Sequence, residues 1–151
     1  MEKYRNRAKN LFESGYNCAQ AVFLTFAEEL GVDFKTASAI SAPFGGGMGR
    51  MREVCGAVSG MFMALGVLYG DYGTDSPDTK KQQYADVQRL AAAFEERNGS
   101  IICRDLLGLS GKSEPNPEKR TDEYYKKRPC SEMVSDAAEI FALYLKEKGR
   151  I

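Results

Sequence analysis

The chain has 151 residues, of which 21 are basic, 21 are acidic and none is histidine, so its formal net charge is zero. This balance leaves no overall electrostatic field that would attract nucleic acid or an anionic membrane, and we expect no nucleic-acid partner. A chain of this length forms one ordinary domain, which we expect to span residues 1–151.

The first ten residues carry charges but lack the apolar segment that a secretory signal requires. The longest apolar stretch, residues 54–69, is interrupted by glycines and falls short of the roughly 20 residues that a membrane-spanning helix needs. We therefore expect a cytoplasmic protein without membrane insertion. Because the cytosol keeps thiols reduced, this location favours a metal or redox role for the cysteines over structural disulfides.

Apolar residues recur at helical spacing along most of the chain, and no good alternating strand pattern occurs. The spacing predicts an all-α, single-domain helical bundle of about five to seven helices. Asn17 and Asp33 each precede such a segment and can cap its first turn. The longer predicted helices span about residues 3–14, 18–30, 51–69, 78–97 and 129–148, and shorter ones are predicted at about 34–40, 100–107 and 122–127.

Glycine occupies four of the five positions 45–49, which predicts a loop because glycine strongly disfavours a helix. The segment that follows, residues 51–69, is apolar on nearly every side, so we expect it to be the central helix of the bundle. Its glycines offer small faces against which neighbouring backbones can approach closely. Such faces can also support a homodimer.

The four cysteines, Cys18, Cys55, Cys103 and Cys130, each lie near the start of a predicted helix. The positive end of the helix dipole and nearby basic residues both stabilise a thiolate, which is the form of cysteine that binds metals and attacks disulfides. Their spacing contains no Cys-x-x-Cys pair, which argues against a local thioredoxin-type motif, a zinc finger or an attached haem. A site with all four cysteines must therefore be assembled by the fold.

The glycine-rich segment before Cys55 suggests a supporting role in such a site. The backbone amides of this segment can donate hydrogen bonds to sulfur or to a bound anion. Arg50 adds a positive charge nearby. We therefore predict that one group of residues either binds an anion or surrounds the sulfurs with hydrogen-bond donors: Gly45, Gly46, Gly47, Gly49 and Arg50.

The chain resembles the C-GCAxxG-C-C family of redox-active proteins. Residues 55–60 read Cys-Gly-Ala-Val-Ser-Gly, residues 15–22 read Gly-Tyr-Asn-Cys-Ala-Gln-Ala-Val, and residues 44–49 read Phe-Gly-Gly-Gly-Met-Gly. Two single cysteines follow downstream, so the resemblance covers nearly the whole chain. It implies that the four cysteines are the defining residues, in an anaerobic bacterial type of context. Some relatives in split-Soret cytochromes carry an associated iron–sulfur centre, but the haem part does not transfer, because this chain has no haem motif.

Three functions remain open at this point. The four cysteines can bind a metal centre, most plausibly an iron–sulfur cluster, for electron transfer with an unidentified protein partner. Alternatively, two cysteines brought together by folding can cycle between dithiol and disulfide, with Cys55 and Cys18 as the redox thiols. The third function is a non-catalytic helical interaction module. Whether the protein is an enzyme is left open by the sequence.

Overall fold

The computed structural model describes all residues 1–151, and their fold is all-helical, as predicted. A 3₁₀ turn, Ala42–Phe44, and a glycine turn, Gly45–Met48, follow the third helix and precede the segment that leads into the fourth. No helix is long and apolar enough to cross a membrane. The eight helices are α1 (Glu2–Glu13), α2 (Cys18–Thr25), α3 (Phe34–Ser41), α4 (Gly56–Tyr69), α5 (Pro77–Asn98), α6 (Cys103–Leu107), α7 (Asp122–Lys127) and α8 (Cys130–Glu147).

One hydrophobic core of 27 buried residues joins the long helices into a single domain. The most extensive pairings are those of α1 with α8 and of α2 with α4. Phe26 lies at the centre, where its ring stacks on Tyr4 at 5.1 Å and meets Phe141 edge-on at 4.9 Å between ring centroids. These aromatic contacts hold α1 and α8 against the end of α2.

Helix α4 is buried along its first half, as expected for the central helix, but Val67 near its end is 40% exposed. Its closest neighbour is α2, which packs directly against the glycine face of α4. A Cβ atom built on Gly60 would lie 2.7 Å from the carbonyl oxygen of Ala19 and 3.0 Å from Cβ of Val22. Glycine at this position therefore sets how closely the two helices approach.

Both predicted caps are present. The Asn17 side chain accepts a hydrogen bond from the Gln20 amide and the Gln20 side chain accepts one from the Asn17 amide, which forms a capping box at the start of α2. The Asp33 carboxylate accepts a hydrogen bond from the Thr36 amide at the start of α3. These local signals place Cys18 as the first residue of α2.

Three predicted helix boundaries were wrong. Helix α2 ends at Thr25 rather than near residue 30, because the Phe26 and Ala27 amides donate to carbonyl oxygens three residues back instead of four. Helix α4 begins at Gly56 rather than near residue 51, because the preceding residues pair with the segment before α6. Helix α6 begins at Cys103 rather than directly after Ser100, which was expected to cap it and whose hydroxyl accepts a hydrogen bond from the Ile102 amide.

Candidate functional site

The four cysteines line one cavity of about 200 Å³. Three of them are the first residues of helices α2, α6 and α8, and the fourth is the residue that immediately precedes α4. The fold thus brings together four helix starts that are far apart in the chain. Of the other predicted site residues, Gly45, Gly46 and Arg50 also line the cavity, whereas Gly47 and Gly49 do not.

A short backbone pairing places Cys55 and Cys103 side by side. Val54 and Ile102 form an antiparallel bridge, and the Cys55 amide donates to the carbonyl of Ile101 at 2.7 Å. The Cys103 amide donates to the carbonyl of Glu53 at 2.6 Å. The paired segment is too short to show an alternating pattern, so the sequence analysis did not predict it.

The glycine turn and the two residues that follow it pack against this pairing and have left-handed backbone angles. Gly46, Gly47, Met48, Gly49 and Arg50 all have φ between 62° and 69°. Such a run is costly at its non-glycine positions, by about 1 kcal/mol each, and backbone strain of this kind clusters at functional sites. The loop predicted from the glycines is therefore present, as a tight turn that forms one wall of the cavity.

Arg52 links three parts of the site that are distant in sequence. Its guanidinium group donates a hydrogen bond from Nη1 to Sγ of Cys103 at 3.6 Å, and from Nε to the Ser113 hydroxyl at 2.9 Å. The residue is only 4% exposed. From the sequence alone, Arg50 was associated with the glycine-rich segment before Cys55, and the contact of Arg52 with Cys103 was not predicted.

Residues 108–121, which we call the strap, cross one side of the cavity. Arg120 of the strap donates hydrogen bonds to the carbonyls of Phe12 and Tyr16, and its guanidinium lies 4.5 Å from the centroid of the Phe12 ring. Glu118 of the strap forms an ion pair with Arg128, and Pro117, Glu118 and Arg120 all line the cavity. The sequence showed only an irregular, proline-containing segment here.

Burial raises the pKa of three of the thiols. The pKa of Cys18 and that of Cys55 are raised, in each case mainly by loss of hydration, and the pKa of Cys130 is raised to about 12. Backbone amides near the sulfurs oppose this shift, and for Cys18 the largest such effect, which lowers its pKa, comes from Gly46. The expectation that helix starts and nearby cations would lower the pKa was wrong for these three thiols, because desolvation has the larger effect.

Cys130 of the folded, metal-free protein is expected to react slowly with iodoacetamide at pH 8. Only the thiolate attacks, and a pKa of about 12 leaves a thiolate fraction on the order of one in ten thousand at that pH. The rate should keep rising beyond pH 10, as read by mass spectrometry of the alkylated peptide. The same protein unfolded in urea is the control and should react near its ordinary rate; equally fast reaction of the folded protein below pH 8 would contradict the prediction.

The cavity offers four thiols as possible metal ligands but no ready-made site for a single ion. A single ion with thiolate ligands about 2.3 Å away needs its sulfurs within roughly 4 Å of one another. No three cysteine or carboxylate side chains are grouped closely enough to hold such an ion, and all four cysteines are free thiols. A cluster holds its ligand sulfurs farther apart because several metal atoms lie between them. Four thiols and no histidine form the ligand chemistry of such clusters.

Comparisons with known proteins agree with this cysteine pattern. Residues 16–144 match the family model "Putative redox-active protein (C_GCAxxG_C_C)". An uncharacterized protein of Archaeoglobus fulgidus is 28% identical over 154 aligned positions, which cover 97% of this chain and 96% of that protein. No solved structure matches the chain. The matched region contains all four cysteines, and the chain belongs to the C_GCAxxG_C_C family of redox-active proteins.

Proposed function

We propose that the protein transfers electrons through an iron–sulfur cluster held by Cys18, Cys55, Cys103 and Cys130. The observation that carries this proposal is that all four thiols, each from a different helix start, line one cavity. When bound, such a cluster would supply one-electron transfer at its metal atoms. The cysteines would hold it, and the helices behind them would limit its access to water.

The charge around the cavity supports this proposal. Arg50, Arg52 and Arg120 line the cavity, and none of them forms an ion pair with a carboxylate. A buried or partly buried cation without a partner is costly. Four thiolates carry negative charge, so a site that binds a metal through them would offset these arginines. Neutral thiols would leave the three charges without compensation.

The hydrogen bonds to sulfur support it as well. The Arg52 guanidinium donates to Cys103 Sγ, and the backbone amide of Gly46 lowers the pKa of Cys18. Donors of this kind stabilise negative charge on sulfur and so raise the reduction potential of a metal–sulfur centre. In this proposal residues 46–52 place donors near two of the ligands.

Anaerobically purified protein is expected to contain iron and acid-labile sulfide and to absorb visible light. A Cys→Ser change at any of the four positions should remove a ligand and reduce both the absorption and the iron content. Thr79→Ala, at an exposed position in the first turn of α5 and outside the cavity, is the control and should leave both unchanged. Purified protein without iron or sulfide, even after anaerobic reconstitution with both, would refute the proposal.

Thiol–disulfide exchange between Cys18 and Cys55 is a second candidate, because the Cys18 sulfur lies against the residue that follows Cys55. A Cβ atom built on Gly56 would be 2.4 Å from Cys18 Sγ. In exchange, one thiolate attacks a partner disulfide, and the other thiol displaces the partner from the mixed disulfide. Metal-free protein whose titratable thiols fall from four to two on oxidation would favour this candidate. A helical interaction module, by contrast, would lose neither function nor oligomeric state in any Cys→Ser variant.

A further inference from the structure

We propose that the same cavity binds a small oxoanion through Arg50, Arg52 and Arg120. This inference deepens the proposed function, since it names the chemical class of ligand that the redox site would accept beside its sulfurs. The sequence analysis predicted an anion site at the glycine turn with Arg50. The structure adds two arginines, one of them from the strap, and thereby changes which groups would hold the ligand.

The charge inside the cavity is mainly positive. The lining includes four arginines and one carboxylate, Glu118, which forms an ion pair with Arg128. The remaining three guanidinium groups donate only to neutral atoms of the protein and to Cys103 Sγ. In the metal-free protein the cavity therefore has an excess of positive charge that the surrounding side chains do not neutralise.

The arginines come from two segments that lie close together. A Cβ atom built on Gly46 would lie 3.0 Å from Cγ of Arg50 and 3.8 Å from Nη1 of Arg52. The two side chains thus pack over the same glycine. Arg120 enters from the strap, which is fixed to this turn where the Ser113 amide donates to the Arg50 carbonyl at 2.8 Å. Three arginines from two segments therefore line one cavity.

Each of the three arginines keeps N–H donors that the protein itself does not use. Arg50 donates only through Nε, to the carbonyl of Glu114, so both of its terminal nitrogens are free. Arg52 uses Nε and Nη1 and retains Nη2, and Arg120 uses its two terminal nitrogens and retains Nε. Arg52 is only 4% exposed, so its remaining donor faces little bulk water. Guanidinium groups pair well with oxoanions, through several N–H donors in a fixed geometry.

The size of the cavity limits the ligand. Its volume of about 200 Å³ is smaller than the roughly 300–1,000 Å³ of sites for drug-sized molecules. Nucleotides are therefore too large, whereas an inorganic oxoanion fits. The cysteines come from helix starts and the arginines from residues 50–52 and the strap, and Arg52 contacts both the Cys103 sulfur and the space for the anion.

Calorimetric titration of the anaerobically purified full-length protein with inorganic sulfate, and separately with inorganic phosphate, tests this proposal. Ionic strength is held constant with sodium chloride so that general screening does not change. Saturable binding at one site is expected, and Arg50→Gln and Arg120→Gln should each weaken it by about tenfold or more, because each removes charged donors. Lys35→Gln is the matched control, since Lys35 is an exposed cation on α3 that does not line the cavity, and its variant should bind as the wild type does.

Absence of saturable binding of either anion would overturn the proposal, as would equal weakening by Lys35→Gln. Iron and sulfide are measured on the same samples, which separates this proposal from the proposed function. Protein that contains a cluster but binds neither anion would refute only the anion site. Protein that binds sulfate through the arginines, but cannot be reconstituted with iron and sulfide, would support the anion site and refute the cluster.

Discussion

Replacing Gly47 with alanine is expected to lower the free energy of unfolding by about 2–4 kcal/mol, the sum of overpacking and left-handed strain. Gly47 is buried, has φ of 66°, and lies where the glycine turn meets the Cys55–Cys103 pairing. A Cβ atom there would be 2.6 Å from Cβ of Cys103 and 2.9 Å from Cα of Arg52. The second of these is a backbone atom, so the clash cannot be relieved by rotating a side chain.

Gly108→Ala is the matched control for Gly47→Ala. Gly108 has nearly the same φ, 68°, but no atom lies within 4 Å of the position of its Cβ. The Gly108→Ala variant therefore isolates the loss of unfolding free energy that comes from left-handed backbone strain alone, which is about 1 kcal/mol. Urea unfolding of both variants measures the difference; equal losses of stability would show that the close approach at Gly47 has no energetic importance. Because Cys103 Cβ is one of the clashing atoms, Gly47→Ala should also lower the iron content that the proposed function predicts.

The second large effect is expected where α2 crosses α4. Gly60→Ala should lower the free energy of unfolding by about 1–3 kcal/mol, because the added methyl group overpacks a closely approached helix pair. The nearest atom is the Ala19 carbonyl oxygen, 2.7 Å from the new Cβ, and Ala19 is the residue after Cys18. Moving α2 to relieve the contact would also move Cys18.

Gly66→Ala in the same helix should have the opposite sign. Nothing lies within 4 Å of the position of its Cβ, so alanine adds helix propensity without a clash and should stabilise the protein by about 0.5–1 kcal/mol. Thermal and urea unfolding of the two variants compare close packing with helix propensity in one helix. A stabilising effect of Gly60→Ala would mean that α2 and α4 lie farther apart in solution than this packing requires.

Several site features follow from the identity of neighbouring residues alone. The capping box of Asn17 and Gln20 involves residues three positions apart, and it places Cys18 at a helix start. Glycine content predicted the turn at residues 45–49 before any tertiary contact was known. Periodicity likewise predicted the all-helical fold, because helical hydrogen bonds join residues four positions apart. Boundaries were less predictable: Arg52 has left-handed backbone angles, so α4 cannot begin near residue 51, where the apolar pattern placed its start, and begins at Gly56 instead.

The sequence by itself therefore determined the helical class, the two caps, and that a helix start lies near each of the four cysteines, since each depends on residues a few positions apart. Only the tertiary structure decided that these starts surround one cavity. It paired the Cys55 segment with that of Cys103, set Arg52 on a sulfur 51 residues away, and joined Arg120 to a carbonyl 108 residues away. Contacts at such separations depend on how the buried faces of α1, α2, α4 and α8 pack. No local pattern of residues encodes that arrangement, because packing is decided by the shapes of all the helices together.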